Sequence, residues 1–232
     1  MIRKARLGNK GSNPGNSVLS NLTAELLGAL RRDNEEKAFQ VIERAISSGL
    51  DGPSIYLNVL QPTLDQVGGL WECGQVSIGE EHRASATVEW LMKSLWYEFQ
   101  PQVTRSRHRS LLVSAVRNER HDIGLTMVCD FLRLDGWQVV NLGADTPECE
   151  IARMAALIHP SLCLLSVSRV DTFDALSETV AELRLRDRDL PILVGGRIFR
   201  VDPTIVCPEG VAVVAKDANE AVTEVRKLLA PL

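Results

Sequence analysis

The hydrophobic pattern divides the chain into a helical first half and an alternating second half. From about residue 17 to residue 100, apolar positions recur every three or four residues, which is the spacing of one helix face. Four helices are predicted there, at 17–33, 34–49, 53–71 and 77–99. Pro62 is expected to kink the third helix. Ser77 and Glu80 form an S-x-x-E capping box at the start of the fourth. Short joints between four helices favour an antiparallel bundle.

After about Arg109 the pattern changes to short continuous apolar runs that alternate with helical segments. Five strands are predicted, "SLLVSAV", "WQVVNL", "LCLLSVS", "PILVGG" and "VAVVA". Four helices are predicted at 124–134, 148–158, 172–184 and 217–229. Buried strands that alternate with helices are typical of a parallel sheet covered on both faces.

These patterns predict an α/β protein with a distinct helical part. The domain organisation predicted is a four-helix bundle cap over 17–103 and a doubly wound, five-stranded parallel domain over 109–232. The second domain is expected to be Rossmann-like, in the flavodoxin-like form. Residues 1–16 are basic, rich in Gly and Asn and without a period, and they predict a disordered tail, with a targeting or nucleic-acid-contacting arm as the alternative.

Composition and charge narrow the classes of function. The 232 residues carry a formal net charge of −4, which argues against free-standing nucleic-acid binding, since such binding needs a basic surface. The five cysteines have no CxxC spacing, and most of them are predicted to be small core residues in a reducing compartment. The sequence shows neither a secretory segment nor an apolar run of membrane-spanning length, so a cytoplasmic protein is expected.

The loop after the first predicted strand, in "VRNERHDIGL", carries the clearest candidate chemistry. His121 lies there, at the sheet edge where ligands of parallel sheets bind. One imidazole nitrogen can bind a metal while the other donates to a carboxylate such as Glu119. Gly124 would let the loop and helix start approach a flat ligand closely. The alternative is a solvated polar loop with a hydrogen-bonded histidine. The chain has no GxGxxG or Walker motif, so a nucleotide site has no support.

The segment "ERHDIG" matches the D/E-x-H-x-x-G motif of cobalamin-binding domains, such as those of methionine synthase and corrinoid methyl-transfer proteins. Ser166 stands where that family has Ser-x-Leu, and Gly195 and Gly196 stand where it has a Gly-Gly pair. The resemblance covers about residue 17 to the C-terminus, because the helical half is similar to the helical cap of the family. In such proteins the motif histidine displaces the lower axial base of cobalamin, and the nucleotide tail inserts into the sheet domain.

The resemblance implies a role for each matching residue. His121 would be the metal ligand of cobalt, with Glu119 orienting it. The remaining cofactor-binding residues implied in the sheet domain are Asp122, Ile123 and Gly124 in the motif loop, Ser166 and Ser168 lining the tail cavity, Thr172 adding a hydroxyl to the relay, and Gly195 and Gly196 leaving room for the tail. Two residues depart from the family pattern: Glu119 replaces the commoner Asp, and Ser168 replaces Leu.

A second pattern, Trp71 followed after nine residues by Glu81 and His82, resembles the helical cap of CarH-type light-dependent repressors. In that family the tryptophan covers the upper face of adenosylcobalamin, and the Glu-His pair lies near the adenosyl group. The resemblance therefore implies adenosylcobalamin as the cofactor. Glu72 departs from the family, which has a histidine there that can capture the upper face of cobalt after photolysis.

The function implied is a cobalamin sensor without enzymatic turnover, which responds to light and acts through a partner transcription factor. CarH-type repressors begin with a winged-helix DNA-binding domain, whereas about 16 polar residues precede the bundle here. A stand-alone sensor similar to AerR-type antirepressors is therefore expected, without direct nucleic-acid or membrane binding. A homo-oligomer is left open. The alternatives are a corrinoid carrier protein of a methyltransferase system and an interaction module that binds haem or another tetrapyrrole.

Overall fold

A computed structural model describes residues 14–100 and 107–230. The chain forms two compact units, Met1–Leu91 and Met92–Leu232. The first is helical, and the second contains the sheet together with the last turns of the helix that ends at Phe99. Within the described ranges, none of the helices is both long enough and apolar enough to cross a membrane.

The helical segments predicted for the first half are confirmed. The first helix begins at Pro14, inside the predicted disordered tail, and residues 1–13 of that tail lie outside the described residues. They are α1 (Pro14–Arg31), α2 (Glu35–Ser47), α3 (Gly52–Ile55), a π-helical turn (Tyr56–Leu60), α4 (Gln61–Glu72) and α5 (Ile78–Phe99). Helix α1 packs against α2 and α4. Leu26 of α1, Val41 of α2, Leu60 of the π turn and Val88 of α5 are completely buried. The helical unit therefore holds together through the apolar stripes that the spacing predicted.

The irregularity expected at Pro62 takes the form of a π turn directly before it. The segments α3, π turn and α4 follow one another without a break. Pro62 has no N–H to donate to the carbonyl oxygen of Asn58, four residues earlier. The hydroxyl of Thr23, on α1, lies 3.2 Å from that oxygen and can donate to it. The same hydroxyl lies 3.0 Å from the Leu19 carbonyl oxygen, so its single hydrogen is shared between the two acceptors, and the helix continues past Pro62.

The predicted capping box at the start of α5 is confirmed. The Glu80 N–H donates to Ser77 Oγ at 3.3 Å, and the Ser77 N–H donates to Glu80 Oε2 at 2.8 Å. The backbone and hydroxyl hydrogen bonds from Ser77 lower the pKa of Glu80. These reciprocal bonds satisfy two N–H groups that the helix itself leaves unpaired, so the first turn of α5 is well defined.

The second unit is a parallel α/β structure, as predicted. Its elements are β1 (Arg107–Ala115), α6 (Ile123–Leu134), β2 (Trp137–Asn141), α7 (Glu148–Ile158), β3 (Leu162–Ser166), a 3-10 turn (Val170–Thr172), α8 (Phe173–Arg186), β4 (Ile192–Gly195), α9 (Arg197–Val201), β5 (Val213–Ala215) and α10 (Ala218–Leu228). The strand order is β2-β1-β3-β4-β5, and all neighbours are parallel. This is the flavodoxin-like order that was predicted. Helix α9 was not predicted, because five residues are too few to show a period.

The sheet is covered on both faces. Along β3, Cys163 and Leu165 pack into one core cluster with Ile151 of α7 and Leu176 of α8. Side chains alternate between the two faces of a strand, so Leu164 points to the opposite face. Helices α6 and α10 pack against each other and against strands of the same sheet. The continuous apolar run of β3 is therefore a strand buried on both sides, whereas the edge strands β2 and β5 are only partly buried.

The expectation that most cysteines are core residues is only partly correct. Cys129 and Cys163 are buried, and burial raises the pKa of each thiol to about 12. Cys73 and Cys149 are exposed, and Cys207 is partly buried. Cys73 follows the last residue of α4, and Cys149 lies in the first turn of α7. Both lie at helix ends directly after a glutamate, Glu72 or Glu148, outside the apolar runs, and the prediction was wrong for these two.

Candidate functional site

The strand order creates a crevice at the carboxyl edge of the sheet. The chain passes from β1 to β2 on one side and reaches β3 on the other side of β1. The loops after β1 and β3 therefore leave the sheet in opposite directions, at the switch point where ligands of open α/β sheets bind. The segment with Glu119 and His121 follows β1, and the segment with Ser168 follows β3. The structure brings these two predicted segments together.

Glu119 is the centre of this site. Its side chain is completely buried. Its Oε1 accepts hydrogen bonds from the His121 ring Nδ1 at 2.6 Å and from the His121 backbone N–H at 2.9 Å. Its Oε2 accepts a bond from the Ser168 N–H at 2.5 Å. Burial by itself raises the pKa of Glu119, but the hydrogen bonds from His121 and Ser168 outweigh it and lower the pKa below its usual value. The buried carboxylate is therefore ionised.

An ionised Glu119 determines the tautomer of His121. A carboxylate without a proton can only accept, so Nδ1 must be the ring nitrogen that carries hydrogen. In the neutral imidazole the lone pair then belongs to Nε2, which is the nitrogen suited to bind a metal. The His121 side chain is 62% exposed, whereas the Glu119 side chain is 0% exposed. A histidine that binds a metal commonly donates its other ring N–H to a carboxylate, which orients the ring. The accessible His121 ring and the buried Glu119 carboxylate have this arrangement.

The hydrogen bond from Ser168 to Glu119 was not predicted from the sequence. Ser168 was predicted to line a cavity, but here its backbone N–H donates to Glu119. A backbone N–H is present at every residue except proline, so it leaves no signal in the sequence. Thr172 was predicted to add a hydroxyl to the relay. Its side chain is buried, and its hydroxyl donates to the Arg169 carbonyl oxygen at 2.9 Å, within the loop after β3. Ser166 is the last residue of β3 and is buried.

The motif loop leads directly into α6. Asp122 is the N-cap residue of α6, without a capping bond from its side chain, and Ile123 is the first helical residue. Gly124 follows in the first turn. A Cβ at Gly124 would meet no atom of this chain within 4 Å. The packing of the chain does not require a glycine there, so the space beside Gly124 fits the close approach of a flat ligand that was predicted from the motif.

At the end of β4, the structure gives Gly196 a physical basis of its own beside the predicted room for the tail. Gly196 has φ +132°, and a Cβ there would lie 1.8 Å from the carbonyl oxygen of Val167. A Cβ at Gly195 would lie 3.2 Å from the carbonyl oxygen of Ala215. In this structure the protein's own backbone therefore already excludes a side chain at Gly196. The requirement for room in a tail cavity is not needed to explain that residue.

In the helical unit, Trp71 lies at the end of α4 and is 44% exposed. Gly74, with φ +69°, ends this helix: its N–H donates to the Trp71 carbonyl oxygen, and the Gln75 N–H donates to that of Leu70. These two bonds form a Schellman motif, which fixes the direction of the chain after the helix. The large exposed indole therefore belongs to the last turn of a helix whose end has a defined conformation.

Glu81 and His82 lie near the start of α5, in the same helical unit. Glu81 Oε1 accepts a hydrogen bond from Ser85 Oγ at 2.8 Å, and Glu81 Oε2 lies 3.7 Å from His82 Nε2. The His82 side chain is 71% exposed. Both side chains thus present polar groups of the type that could hydrogen-bond a ribose, which is the chemistry predicted for this pair.

Comparison with known proteins gives two family matches. Residues 109–226 match a B12 binding domain, and residues 22–95 match a second B12 binding domain model. The first match covers the sheet and its helices, including Glu119, His121 and Gly196. The second lies within the helical part and includes Trp71.

Individual relatives fall into two groups. The HTH-type transcriptional repressor CarH of Myxococcus xanthus is 27% identical over 176 residues, which are 75% of this chain and 57% of that repressor. The chain thus spans little more than half the length of that relative. Trimethylamine corrinoid protein 1 of Methanosarcina acetivorans is 22% identical over 213 residues, 90% of this chain and 97% of that protein.

Among solved structures, the monomethylamine corrinoid protein of Methanosarcina barkeri has the same fold. It aligns with a TM-score of 0.74 at 17% identity and covers 90% of this chain and 99% of the other. This likeness shows the architecture, a helical part followed by a five-stranded parallel sheet domain.

Proposed function

Because this chain belongs to the family of B12 binding domain proteins, we propose that it is a cobalamin-binding regulator that responds to light. Its cofactor is cobalamin, and the proposed form is adenosylcobalamin. The protein is proposed to act in the cytoplasm on a partner protein such as a transcription factor, without catalytic turnover of its own. The two B12 family matches favour cobalamin over haem, the other tetrapyrrole considered.

The observation that best supports the cofactor site is the set of hydrogen bonds that the Glu119 carboxylate accepts from His121 and Ser168. The residues present fit a cobalt ligand: Nδ1 of His121 is held by a buried carboxylate, and the ring is accessible. In the proposal His121 binds cobalt through Nε2 and Glu119 keeps the ring in the required tautomer. When bound, the cofactor supplies a cobalt–carbon bond that light can cleave. The open space beside Gly124 would accept part of the corrin ring.

The features that favour a light-responsive regulator over a carrier lie in the helical unit. A carrier must leave the upper face of the corrin open to partner enzymes. Here Trp71, in the last turn of α4, exposes a large apolar ring to solvent, and hydrogen bonds from Gly74 and Gln75 fix the end of this helix. We propose that Trp71 packs on the upper ligand and that Glu81 and His82 hydrogen-bond its sugar. Loss of that ligand would change these contacts, and a ligand shifts two protein states only through such differential contacts.

Trp71→Ala is expected to lower the affinity for adenosylcobalamin more than the affinity for methylcobalamin. The reason is that an aromatic face buried against a large ligand contributes about 1–3 kcal/mol, and the methyl group offers little surface to bury. Titration of both cofactors into both proteins measures the difference. Tyr97→Ala, which removes another exposed aromatic ring, serves as the control. Equal losses for the two cofactors would contradict the proposed position of Trp71.

Spectra and sizing of the protein with adenosylcobalamin, in the dark and after green light, test the function. A change in absorption together with a change in hydrodynamic size is expected after illumination. Glu72 replaces the histidine of CarH-type proteins, so His82 is the residue that would hold the cofactor after illumination, with water as the alternative. His82→Ala is therefore compared with wild type. If light changes neither spectrum nor size, the light-sensing proposal fails.

A corrinoid carrier protein is the second candidate function. It is favoured by a specific observation, since the match to trimethylamine corrinoid protein 1 of Methanosarcina acetivorans covers nearly the whole of both chains. The same illumination experiment separates the two functions. A carrier is expected to hold methylcobalamin as well as adenosylcobalamin and to keep its size in the light.

A further inference from the structure

Two loops at the carboxyl edge of the sheet are joined by a reciprocal pair of hydrogen bonds. The Asn118 N–H donates to Asp145 Oδ1 at 2.6 Å, and the Asp145 N–H donates to the Glu119 carbonyl oxygen at 2.8 Å. Asn118 and Glu119 belong to the loop after β1, and Asp145 belongs to the loop after β2. Asp145 therefore holds the two-residue segment of Asn118 and Glu119 at its first N–H and at its last carbonyl oxygen.

Both partners in this pair have an unusual backbone conformation. Asn118 has φ +65° and Asp145 has φ +50°. In the part of the chain that the structure describes, only two further non-glycine residues have positive φ, Asp33 and His159. Asn and Asp tolerate this left-handed region better than most residues, but it still costs free energy. Such conformations persist where the surroundings hold them and cluster at functional sites.

Other contacts join the same two loops. Val116 forms a parallel bridge with Thr146, which extends the pairing of β1 and β2 beyond the strands. Arg117 Nε donates to Glu148 Oε2 at 3.1 Å, at the start of α7. The backbone of Glu119 is thus positioned from the β2 side by Asp145, while its carboxylate is held from the β3 side by Ser168.

We propose that Asp145 is a positioning residue for the metal-ligand pair, acting through the backbone of Glu119 on the ring of His121. The inference rests on the proposed role of His121 as the ligand of cobalt. Without the Asp145 carboxylate, the Asn118 N–H loses its acceptor and the peptide unit before Asn118 can rotate. The Glu119 N–H keeps the Val116 carbonyl oxygen as its acceptor, so the change reaches Glu119 through the backbone angles of Asn118. The Glu119 carboxylate then no longer faces Nδ1 of His121 in a fixed geometry, and the ring loses its preferred tautomer.

Asp145→Gly tests this proposal most directly. Glycine adopts positive φ without strain, so the substitution removes the acceptor and leaves the backbone conformation accessible. Asp145→Asn keeps an acceptor oxygen and the tolerance of positive φ, and it should restore the wild-type behaviour. Asp33→Gly is the matched control, because Asp33 has φ +55° and also makes a side-chain contact, with Arg83 at 3.0 Å, in the helical unit.

The first measurement uses the cofactor-free protein. The ¹⁵N chemical shifts of the His121 ring report which nitrogen carries hydrogen. Wild type, Asp145→Asn and Asp33→Gly are expected to show the Nδ1–H form, and Asp145→Gly is expected to show a mixture of both tautomers. Ring shifts of Asp145→Gly that equal those of Asp33→Gly, at equal unfolding midpoints, would overturn the proposal.

The second measurement adds cobalamin. Asp145→Gly is expected to weaken binding about tenfold, the lower end of the range for partners that orient a metal ligand, and to reduce the histidine-bound fraction. Asp145→Asn should bind close to the wild-type affinity. If wild type itself does not bind cobalamin, the proposed function fails, whereas the ring shifts still decide the role of Asp145.

Discussion

His121→Ala is expected to abolish the base-off, histidine-on spectrum of bound cobalamin, which is the spectrum of the cofactor when a protein histidine has displaced its own lower base. The imidazole of His121 is the donor that Glu119 holds in place, and alanine offers no ligand. The expected result is a complete loss of the histidine-bound signature, with any remaining cofactor in a form without a protein ligand. Absorption spectra of equal amounts of protein, loaded with cobalamin and freed of excess cofactor, measure it.

Two further variants make this test specific. Glu119→Gln keeps the size of the side chain but not its charge, and it should weaken cobalamin binding by about 10–100-fold while retaining some histidine ligation. His159→Asn is the matched control, because His159 is an exposed histidine at the end of α7 and its φ of +47° suits asparagine. If bound cobalamin has the same spectrum in His121→Ala as in wild type, the proposal that His121 binds cobalt is wrong.

Gly196→Ala is expected to prevent the sheet unit from folding stably. The added Cβ would lie 1.8 Å from the Val167 carbonyl oxygen, far inside van der Waals contact, at a φ of +132° that alanine rarely adopts. The obstacle is backbone, which cannot move aside as the end of a flexible side chain could. We expect this substitution to lower the free energy of unfolding by an amount in the exceptional range above about 4–5 kcal/mol. That loss is a large part of the roughly 5–15 kcal/mol by which a typical domain is stable.

Gly124→Ala is the matched control for this prediction. A Cβ at Gly124 meets nothing within 4 Å, and alanine is a better helix former than glycine by about 1 kcal/mol, so the variant should fold at least as well as wild type. Urea unfolding monitored by circular dichroism compares the two. Equal midpoints for both variants would contradict the close approach of Gly196 to Val167. Weaker cobalamin binding by Gly124→Ala, with unchanged stability, is expected if a corrin ring occupies the space beside it.

Much of the architecture could be predicted because it depends on local patterns. The period of apolar residues distinguished the helical half from the alternating half, and the predicted helix 148–158 coincides with α7 (Glu148–Ile158). The capping box of Ser77 and Glu80 needs only four consecutive residues. Glu119 and His121 are two residues apart, so their pairing was also within reach of the sequence.

The remaining features depend on residues that are distant in the chain. The position of β1 between β2 and β3 creates the switch point, and no local period encodes strand order. The Ser168 N–H reaches Glu119 across 49 residues, and Asp145 pairs with Asn118 across 27. Backbone donors carry no signature in side-chain identity. These contacts exist only after the sheet has brought the carboxyl ends of its strands to one edge, so the tertiary structure alone decides how the loop with Glu119 and His121 is held.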